Sequence, residues 1–166
     1  EVLSIMGVIP LPPYLNREAT NEDNEDYQTI YAKQEGSVAA PTAGLHFTEK
    51  TFEDLKQKKI ASNFITLHVG AGTFKPVSSE LIIDHVMHAE KVAIPKQVIQ
   101  NLIEHLDKKI ICVGTTSVRT IESLYWHGVK LIENKDEDIE IDISQWEPYQ
   151  KEENITPRQA LEAIVD

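Results

Sequence analysis

The sequence of 166 residues has one cysteine, three arginines and no long apolar run. A single cysteine excludes an internal disulfide and suits a reducing compartment. Apolar runs such as residues 110–113 are far too short to span a bilayer, and residues 1–6 lack the basic leader and extended apolar segment of a signal peptide. We therefore expect a cytoplasmic protein with no membrane partner. The cysteine, Cys112, lies within an apolar run, which favours a small buried hydrophobe over a nucleophile.

Acidic residues outnumber basic ones, but the excess is confined to two segments. The net charge is −11, of which residues 18–26 contribute −5 and residues 133–153 contribute −7, so the rest of the chain carries +1. Residues 133–155 are therefore predicted to form an acidic, exposed insertion. The sequence has no arginine-rich stripe. If RNA is a partner, much of the positive charge that binds its phosphates therefore lies elsewhere or in local groups.

Hydrophobic periodicity predicts strands that alternate with helices over residues 1–166. The candidate strands are residues 38–41, 61–69, 91–94, 110–113 and 130–132, with an edge strand near 139–143. The candidate helices are residues 27–34, a helix capped by Thr48, residues 95–107, a helix that ends at Gly128, and a helix begun by Thr156. This order indicates a single α/β domain with a largely parallel sheet, either open or barrel-like.

Two blocks of the sequence place a histidine among small residues. The first block, residues 36–47, contains His46, and the second block, residues 66–74, contains His68. Small residues let backbone N–H groups approach a ligand closely, and glycines permit positive φ angles. We therefore interpret the two blocks as the floor of a ligand site.

Three small residues follow the second histidine, namely Gly70, Gly72 and Thr73. A glycine-rich loop of this kind resembles the loops that hold phosphate groups. It lacks the six-residue glycine fingerprint and the lysine of a P-loop, so by itself it is only a weak indication of a nucleotide-binding fold.

Residues 113–117 join a predicted strand to a predicted helix and include Thr115 and Thr116, with Arg119 in the first helical turn. Backbone N–H groups and hydroxyls at the positive end of a helix dipole can hold a carboxylate or a phosphate. The alternative is that a Thr or Ser residue only caps the helix. The local sequence does not separate the two interpretations, although Arg119 favours a ligand.

Residues 84–90 contain Asp84, His85, His88 and Glu90 at spacings that metal sites use. No further cluster of Cys or His residues completes such a site in the sequence. Surface or substrate-facing polar residues are therefore the favoured interpretation, and no metal is expected.

Six blocks occur in order between about Gly7 and Ser123, at residues 10–14, 26–32, 38–47, 66–74, 84–90 and 113–119. They include Val38-Ala-Ala-Pro-Thr-Ala-Gly-Leu-His-Phe47 and Thr66-Leu-His-Val-Gly-Ala-Gly-Thr-Phe74. Together they resemble the S-adenosylmethionine:tRNA ribosyltransferase-isomerase family of queuosine biosynthesis. The two histidine blocks are the most specific part of this resemblance.

The resemblance implies an enzyme that transfers the ribosyl part of S-adenosylmethionine to 7-aminomethyl-7-deazaguanine at the tRNA wobble position and isomerises it. Epoxyqueuosine-tRNA forms, and adenine and methionine leave. S-adenosylmethionine is then a consumed substrate, and no resident cofactor is expected. The family has an α/β domain interrupted by a small β-barrel. We expect the 166 residues to be a fragment of the α/β domain, without the barrel and without the part that follows Asp166.

The implied reaction suggests roles for the residues of the six blocks. A sulfonium group acidifies the adjacent ribose carbon, so a base that works near neutral pH is needed, and histidine is the natural candidate. We expect His46 or His68 to be this base, with Glu90 behind them, and the other histidine to protonate the departing adenine. The expected substrate-binding residues are Tyr14, Thr42, Phe47, Gly70, Gly72, Thr73, His85, Thr115, Thr116 and Arg119.

Tyr14 or Phe47 would stack on a base, and the turn from Thr115 to Arg119 would hold the methionine carboxylate. An alternative from another class is a catalytically silent module that keeps an adenosyl- or RNA-binding surface. A third interpretation, an unrelated nucleotide-binding α/β enzyme, rests only on the glycine-rich loops.

Overall fold

A computed structural model describes residues 9–34, 36–37, 39–70, 79–134, 142–150 and 154–166. The described residues fall into two compact units. The first unit lies within Glu1–Ser62 and Thr66–Val92, and the second within Asn63–Ile65 and Ala93–Asp166. The described part of the chain contains five α-helices, two short strands and four 3₁₀ turns, at Pro13–Leu15, Thr42–His46, Ile82–Asp84 and Glu147–Tyr149. None of the helices in these ranges is both long and apolar enough to cross a membrane.

The first unit contains the helices α1 (Asp23–Asp26) and α2 (Glu49–Gln57) and the strand β1 (Thr66–His68). β1 pairs with β2 (Lys91–Ala93) in a two-stranded antiparallel sheet. Helix α2 begins where the sequence predicts, because Thr48 and Thr51 form a reciprocal capping box. Each backbone N–H donates to the hydroxyl of the other threonine at 3.3 Å.

A salt bridge fixes the loop before α1. Both terminal guanidinium nitrogens of Arg17 donate to the carboxylate of Asp23, at 2.7 and 2.6 Å, and the backbone N–H of Thr20 donates to the same carboxylate at 2.7 Å. The arginine hydrogen bond lowers the pKa of Asp23 well below its ordinary value. Since the Asp23 residue is only 4% exposed, this carboxylate is a structural anchor inside a segment that is otherwise acidic and exposed.

The second unit is built from three helices, α3 (Lys96–Glu104), α4 (Thr115–Glu133) and α5 (Pro157–Val165). Helix α5 packs against both α3 and α4. Their apolar faces bury one core, made of Ile99, Leu102, Ile103, Leu124 and Leu161. The phenol of Tyr125 donates to the carbonyl of Ile155 at 2.8 Å, and Arg158 donates to the carbonyl of Ile103 at 3.0 Å. The amphipathic stripe predicted for residues 95–107 is confirmed as α3, and the capping box of Thr156 and Gln159 is confirmed at the start of α5.

The predicted mixture of helices and strands is observed, but the largely parallel sheet is not found in the described residues. The predicted strand at 91–94 is confirmed as β2, and the predicted strand at 61–69 is reduced to β1. Residues 110–113 are not a strand: Ile111 is 76% exposed, and no strand of the described ranges pairs with this run. An apolar run forms a strand only when it pairs with a neighbouring strand, and apolar composition alone does not provide that neighbour.

Two further predictions place secondary structure wrongly. Residues 130–132 are the end of α4 rather than a strand, because Gly128 lies inside this helix and does not end it. Residues 27–34 are not helical, because the helix lies earlier, at Asp23–Asp26. The predicted strands at 38–41 and 139–143 fall partly outside the described residues, and Ala39 to Pro41 do not form a strand.

Candidate functional site

The start of the first histidine block lies beside the described part of the second in the first unit. The hydroxyl of Ser37 donates to the carbonyl of Leu67 at 2.8 Å and accepts from the backbone N–H of Val69 at 3.0 Å. The N–H of Ala39 donates to the carbonyl of Val69 at 3.3 Å. Val69 and Ala39 are both buried. The segment after Gly36 is therefore attached along β1, next to the second histidine.

Gly36 packs directly against the imidazole of His68. A Cβ atom on Gly36 would stand 3.1 Å from Nδ1 and 3.3 Å from Cε1 of that ring. Gly36 also has a φ of +127°, which residues with a side chain rarely adopt. Glycine is thus required at position 36 by its backbone angle and by its closeness to His68.

His68 lies at the same end of the sheet as two other titratable residues. It is the last residue of β1, and Glu90 immediately precedes β2. In an antiparallel pair the end of one strand lies beside the start of the other. His88 Nε2 lies 3.8 Å from Glu90 Oε1. We call His68, His88 and Glu90 the sheet-end group.

The Glu90 side chain is 6% exposed, whereas the side chain of His88 is 40% exposed. Glu90 is predicted to stand behind His46 and His68, and the histidine that the structure shows near its carboxylate is His88. His88 was not among the predicted site residues. In the sequence, His88 stands two residues before Glu90, and the strand β2 begins directly after Glu90. This position was the only indication of a link between the two residues.

His46 is the last residue of the 3₁₀ turn Thr42–His46, and its side chain is exposed. The turn packs closely on the unit through Gly44, which is buried. A Cβ atom on Gly44 would stand 2.8 Å from Cγ2 of Thr29 and would overlap the hydroxyl of Tyr31. Thr42 opens the turn and is also exposed. The turn therefore presents His46 and Thr42 at the surface of the first unit.

The two aromatic rings proposed for base stacking have different surroundings. The ring of Phe47 packs on Phe52 of α2 with centroids 5.5 Å apart, and Tyr31 meets Phe52 edge to face at 5.7 Å. Tyr14, in the 3₁₀ turn Pro13–Leu15, is 72% exposed. Phe47 is thus part of an aromatic cluster with Phe52 and Tyr31, and Tyr14 is the better placed of the two for stacking on a base.

The other predicted ligand residues of the first unit are partly described. Gly70 is half-buried, and among the described residues nothing lies within 4 Å of the position that a Cβ would take. His85 is half-buried and ends the 3₁₀ turn Ile82–Asp84. Gly72 and Thr73 lie outside the described residues.

The predicted anion site of Thr115, Thr116 and Arg119 belongs to the second unit. Gly114, with a φ of +90°, is the N-cap of α4, and no side chain caps the helix. The interpretation of a Thr or Ser cap is therefore wrong. Thr115 is exposed, and Thr116 and Arg119 are half-buried. The two threonines therefore lie in the first turn of α4 but do not cap it.

Neither a metal site nor a reactive thiol is indicated in the part of the chain that the structure describes. No group of three or more His, Cys, Asp or Glu residues within those ranges could hold a metal ion. Burial raises the pKa of Cys112, and the nearby carboxylate of Glu122 raises it further. The thiol is therefore protonated and a poor nucleophile at neutral pH.

The family model described as "Queuosine biosynthesis protein" matches residues 1–153 of the chain. A relative from a Nitratiruptor species, named S-adenosylmethionine:tRNA ribosyltransferase-isomerase, is 54% identical over 121 residues. This match covers 73% of the chain and 35% of the relative, so the chain spans about a third of the length of this curated relative. No solved structure matches the chain.

Proposed function

The chain belongs to the queuosine biosynthesis protein family, and from that premise we propose a reaction for the complete protein that contains it. The protein transfers the ribosyl part of S-adenosylmethionine to 7-aminomethyl-7-deazaguanine in tRNA and isomerises it to epoxyqueuosine. Adenine and methionine are released. S-adenosylmethionine is consumed, so it acts as a substrate and no resident cofactor takes part in the proposal.

The observation that carries the proposal is the pairing of the two histidine blocks. Hydrogen bonds from Ser37 and Ala39 hold the first block along the second, and Gly36 leaves just enough room for the imidazole of His68. The proposed reaction needs a base next to a sulfonium-activated carbon and an acid for the departing adenine. Histidines held by small residues suit both tasks at neutral pH.

We assign the base role to His68, because Gly36 and the end of β1 fix its position. His46, exposed at the end of its 3₁₀ turn, is a second histidine of the proposed site. The residues proposed to contact the substrate in addition to these histidines are Thr42, Gly70, Gly72, Thr73 and His85. Tyr14 is proposed to stack on a base, because its ring is largely exposed.

In the second unit, the first turn of α4 is proposed to bind the methionine carboxylate. Thr115 and Thr116 stand where the helix dipole is positive, and Arg119 follows one turn later. The dipole and the guanidinium both favour an anion. The substitution Arg119→Met should therefore raise the KM for S-adenosylmethionine more than it lowers kcat.

Transfer RNA is the proposed macromolecular partner. Because the net charge of the chain is −11, the proposal is that the RNA phosphates are bound by local basic groups or by basic groups in other parts of the complete protein. Binding should then be strongly salt-dependent and should weaken when those basic groups are removed.

Adenine release tests the proposal. The complete protein is incubated with S-adenosylmethionine and tRNA that carries the 7-aminomethyl-7-deazaguanine base, and free adenine is measured. Adenine formation that requires this tRNA is the expected result. Binding of S-adenosylmethionine or of tRNA without any adenine release, in the presence of a tRNA that a control enzyme of the family can use, would indicate the silent binding module instead.

A further inference from the structure

We propose that His88 is the acid that protonates the departing adenine and that Glu90 is its positioning residue. This inference rests on the proposed function and adds a residue and a role to it. It starts from the close approach of the two side chains at the end of the sheet.

Two observations connect His88 with the proposed site. His68 ends β1 and Glu90 precedes β2, so the antiparallel sheet brings the proposed base and Glu90 to the same end. His88 Nε2 is 3.8 Å from Glu90 Oε1. The sheet-end group therefore contains two histidines, and the proposed reaction needs two groups that transfer protons.

The side chains of Glu90 and His88 differ in exposure, and this difference suits a positioning residue and a proton donor. The Glu90 side chain is 6% exposed, so the surrounding structure holds its carboxylate in place. The His88 side chain is 40% exposed and reaches water. The 3.8 Å separation is longer than a hydrogen bond, so the buried carboxylate is proposed to position the accessible imidazole through the attraction of opposite charges when the imidazole is protonated.

The proposed step conserves protons and electrons. The bond between the ribose carbon and the adenine ring nitrogen breaks, its electron pair leaves with the adenine, and the ring oxygen of the ribose donates a lone pair to the carbon that has lost this bond. Protonated His88 gives one proton to the adenine ring as this bond breaks, so neutral adenine departs and neutral imidazole remains. Water then returns a proton to His88. The Glu90 carboxylate balances the charge of the imidazolium before the transfer.

The test uses the complete protein and two substrates, S-adenosylmethionine and its analogue with 2-fluoroadenine. Fluorine withdraws electrons from the ring, so 2-fluoroadenine leaves with less need of a proton. We expect His88→Gln to lower kcat for adenine release by about 10²-fold or more with little change in KM. With the fluorinated analogue the loss should be clearly smaller, which a purely structural role for His88 would not produce.

Glu90→Gln should lower kcat less than His88→Gln, and adding it to His88→Gln should cause little further loss, because Glu90 acts through His88. His105→Gln is the matched control. His105 is an exposed histidine of the second unit whose ring nitrogen bonds to the carbonyl of Asn101 at 2.8 Å. The His105→Gln variant should retain the wild-type kcat with both substrates.

Two results would overturn the inference: His88→Gln keeps the wild-type kcat, or it loses the same factor with both substrates. Either result, obtained while the wild-type protein releases adenine, rejects the role of His88 and leaves the proposed function standing. A wild-type protein that releases no adenine rejects the proposed function itself.

Discussion

Gly128 of α4 lies against the backbone of Ala160 in α5. A Cβ atom on Gly128 would stand 2.7 Å from the Ala160 Cα and would overlap the carbonyl carbon and oxygen of the same residue. Both residues are buried, and Ala160 is fully so. The two helices can approach this closely only because position 128 has no side chain.

Gly128→Ala should therefore destabilise the second unit, although alanine normally favours a helix over glycine. Relief of the overlap requires the helices to separate, and overpacking of this kind costs about 1–3 kcal/mol. Thermal or urea unfolding of the complete protein measures the effect. Glu122→Ala, at an exposed position of the same helix, is the control and should change stability little. Equal or greater stability of Gly128→Ala would contradict the close contact.

Gly36→Ala should impair catalysis through His68. The new methyl group would meet the imidazole at 3.1 Å, and the backbone would be strained at a φ of +127°. A displacement of about 1 Å near the reacting groups can cost about 10²-fold in rate, so we expect kcat for adenine release to fall by about tenfold or more. Asn16→Ala provides the comparison, because Asn16 also has a positive φ (48°) but lies outside both histidine blocks. An unchanged kcat for Gly36→Ala would show that the position of His68 does not matter.

The ion pair of Arg17 and Asp23 should make stability depend on pH in the acid range. The pKa of Asp23 is lowered in the folded protein, first by the hydrogen bond from Arg17. The ionised carboxylate therefore stabilises the fold above the ordinary value of about 3.9, and this contribution is lost as the pH falls towards the folded pKa.

Asp23→Asn should accordingly be less stable than the wild type at pH 7, and the difference should shrink as the pH falls below about 4. Urea unfolding at several pH values measures it. Asp26→Asn, at an exposed position of α1, should show no such convergence. A difference that stays constant down to about pH 3 would show that the ion pair is not its source.

His127 should contribute a second pH dependence, near neutrality. Burial lowers its pKa, and the positive charge of Lys130 lowers it further. The unfolded chain then binds the proton more tightly, so stability is full above about 6.5 and falls as the pH drops below that value. His127→Gln should remove this part of the profile between about pH 5 and 7, while the exposed His105→Gln should leave it unchanged. The same slope in His127→Gln and the wild type would contradict the assignment.

Tyr14→Ala should weaken tRNA or adenosyl binding with little effect on folding. The ring is 72% exposed, so its removal leaves little cavity. Stacking of a base on an aromatic ring is worth about 1–3 kcal/mol, which corresponds to roughly 5- to 150-fold in KM or Kd. Tyr149→Ala is matched to it, since Tyr149 is also exposed but belongs to the second unit and packs on Trp146 at 5.8 Å. Equal losses in the two variants would exclude a specific role for Tyr14.

Features set by neighbours in the sequence were predictable. The capping boxes begun by Thr48 and Thr156 start helices where expected, because each needs only residues three positions apart. The apolar stripe of α3 is likewise a local pattern. The histidine blocks were recognisable because small residues surround both histidines in the sequence itself.

Features set by distant contacts were not predictable in the same way. Gly128 has the residue type of a helix end, yet it lies inside α4, where the absence of a side chain makes room for Ala160, far along the sequence. The apolar run that begins at Ile110 has the composition of a buried strand, but no strand pairs with it in the described chain. His88 was not assigned a catalytic role from the sequence for a similar reason, because the role proposed for it depends on its 3.8 Å distance from Glu90 and on where the sheet ends.

The aromatic cluster beside the first histidine block has a consequence for how this protein can vary. Phe47 follows His46 directly and packs on Phe52, which belongs to α2. Residues of α2 that take no part in any chemistry therefore help to set where His46 stands. Under the proposed function, a substitution that loosens this helix would therefore lower the yield of modified tRNA by moving His46, in addition to any loss of stability.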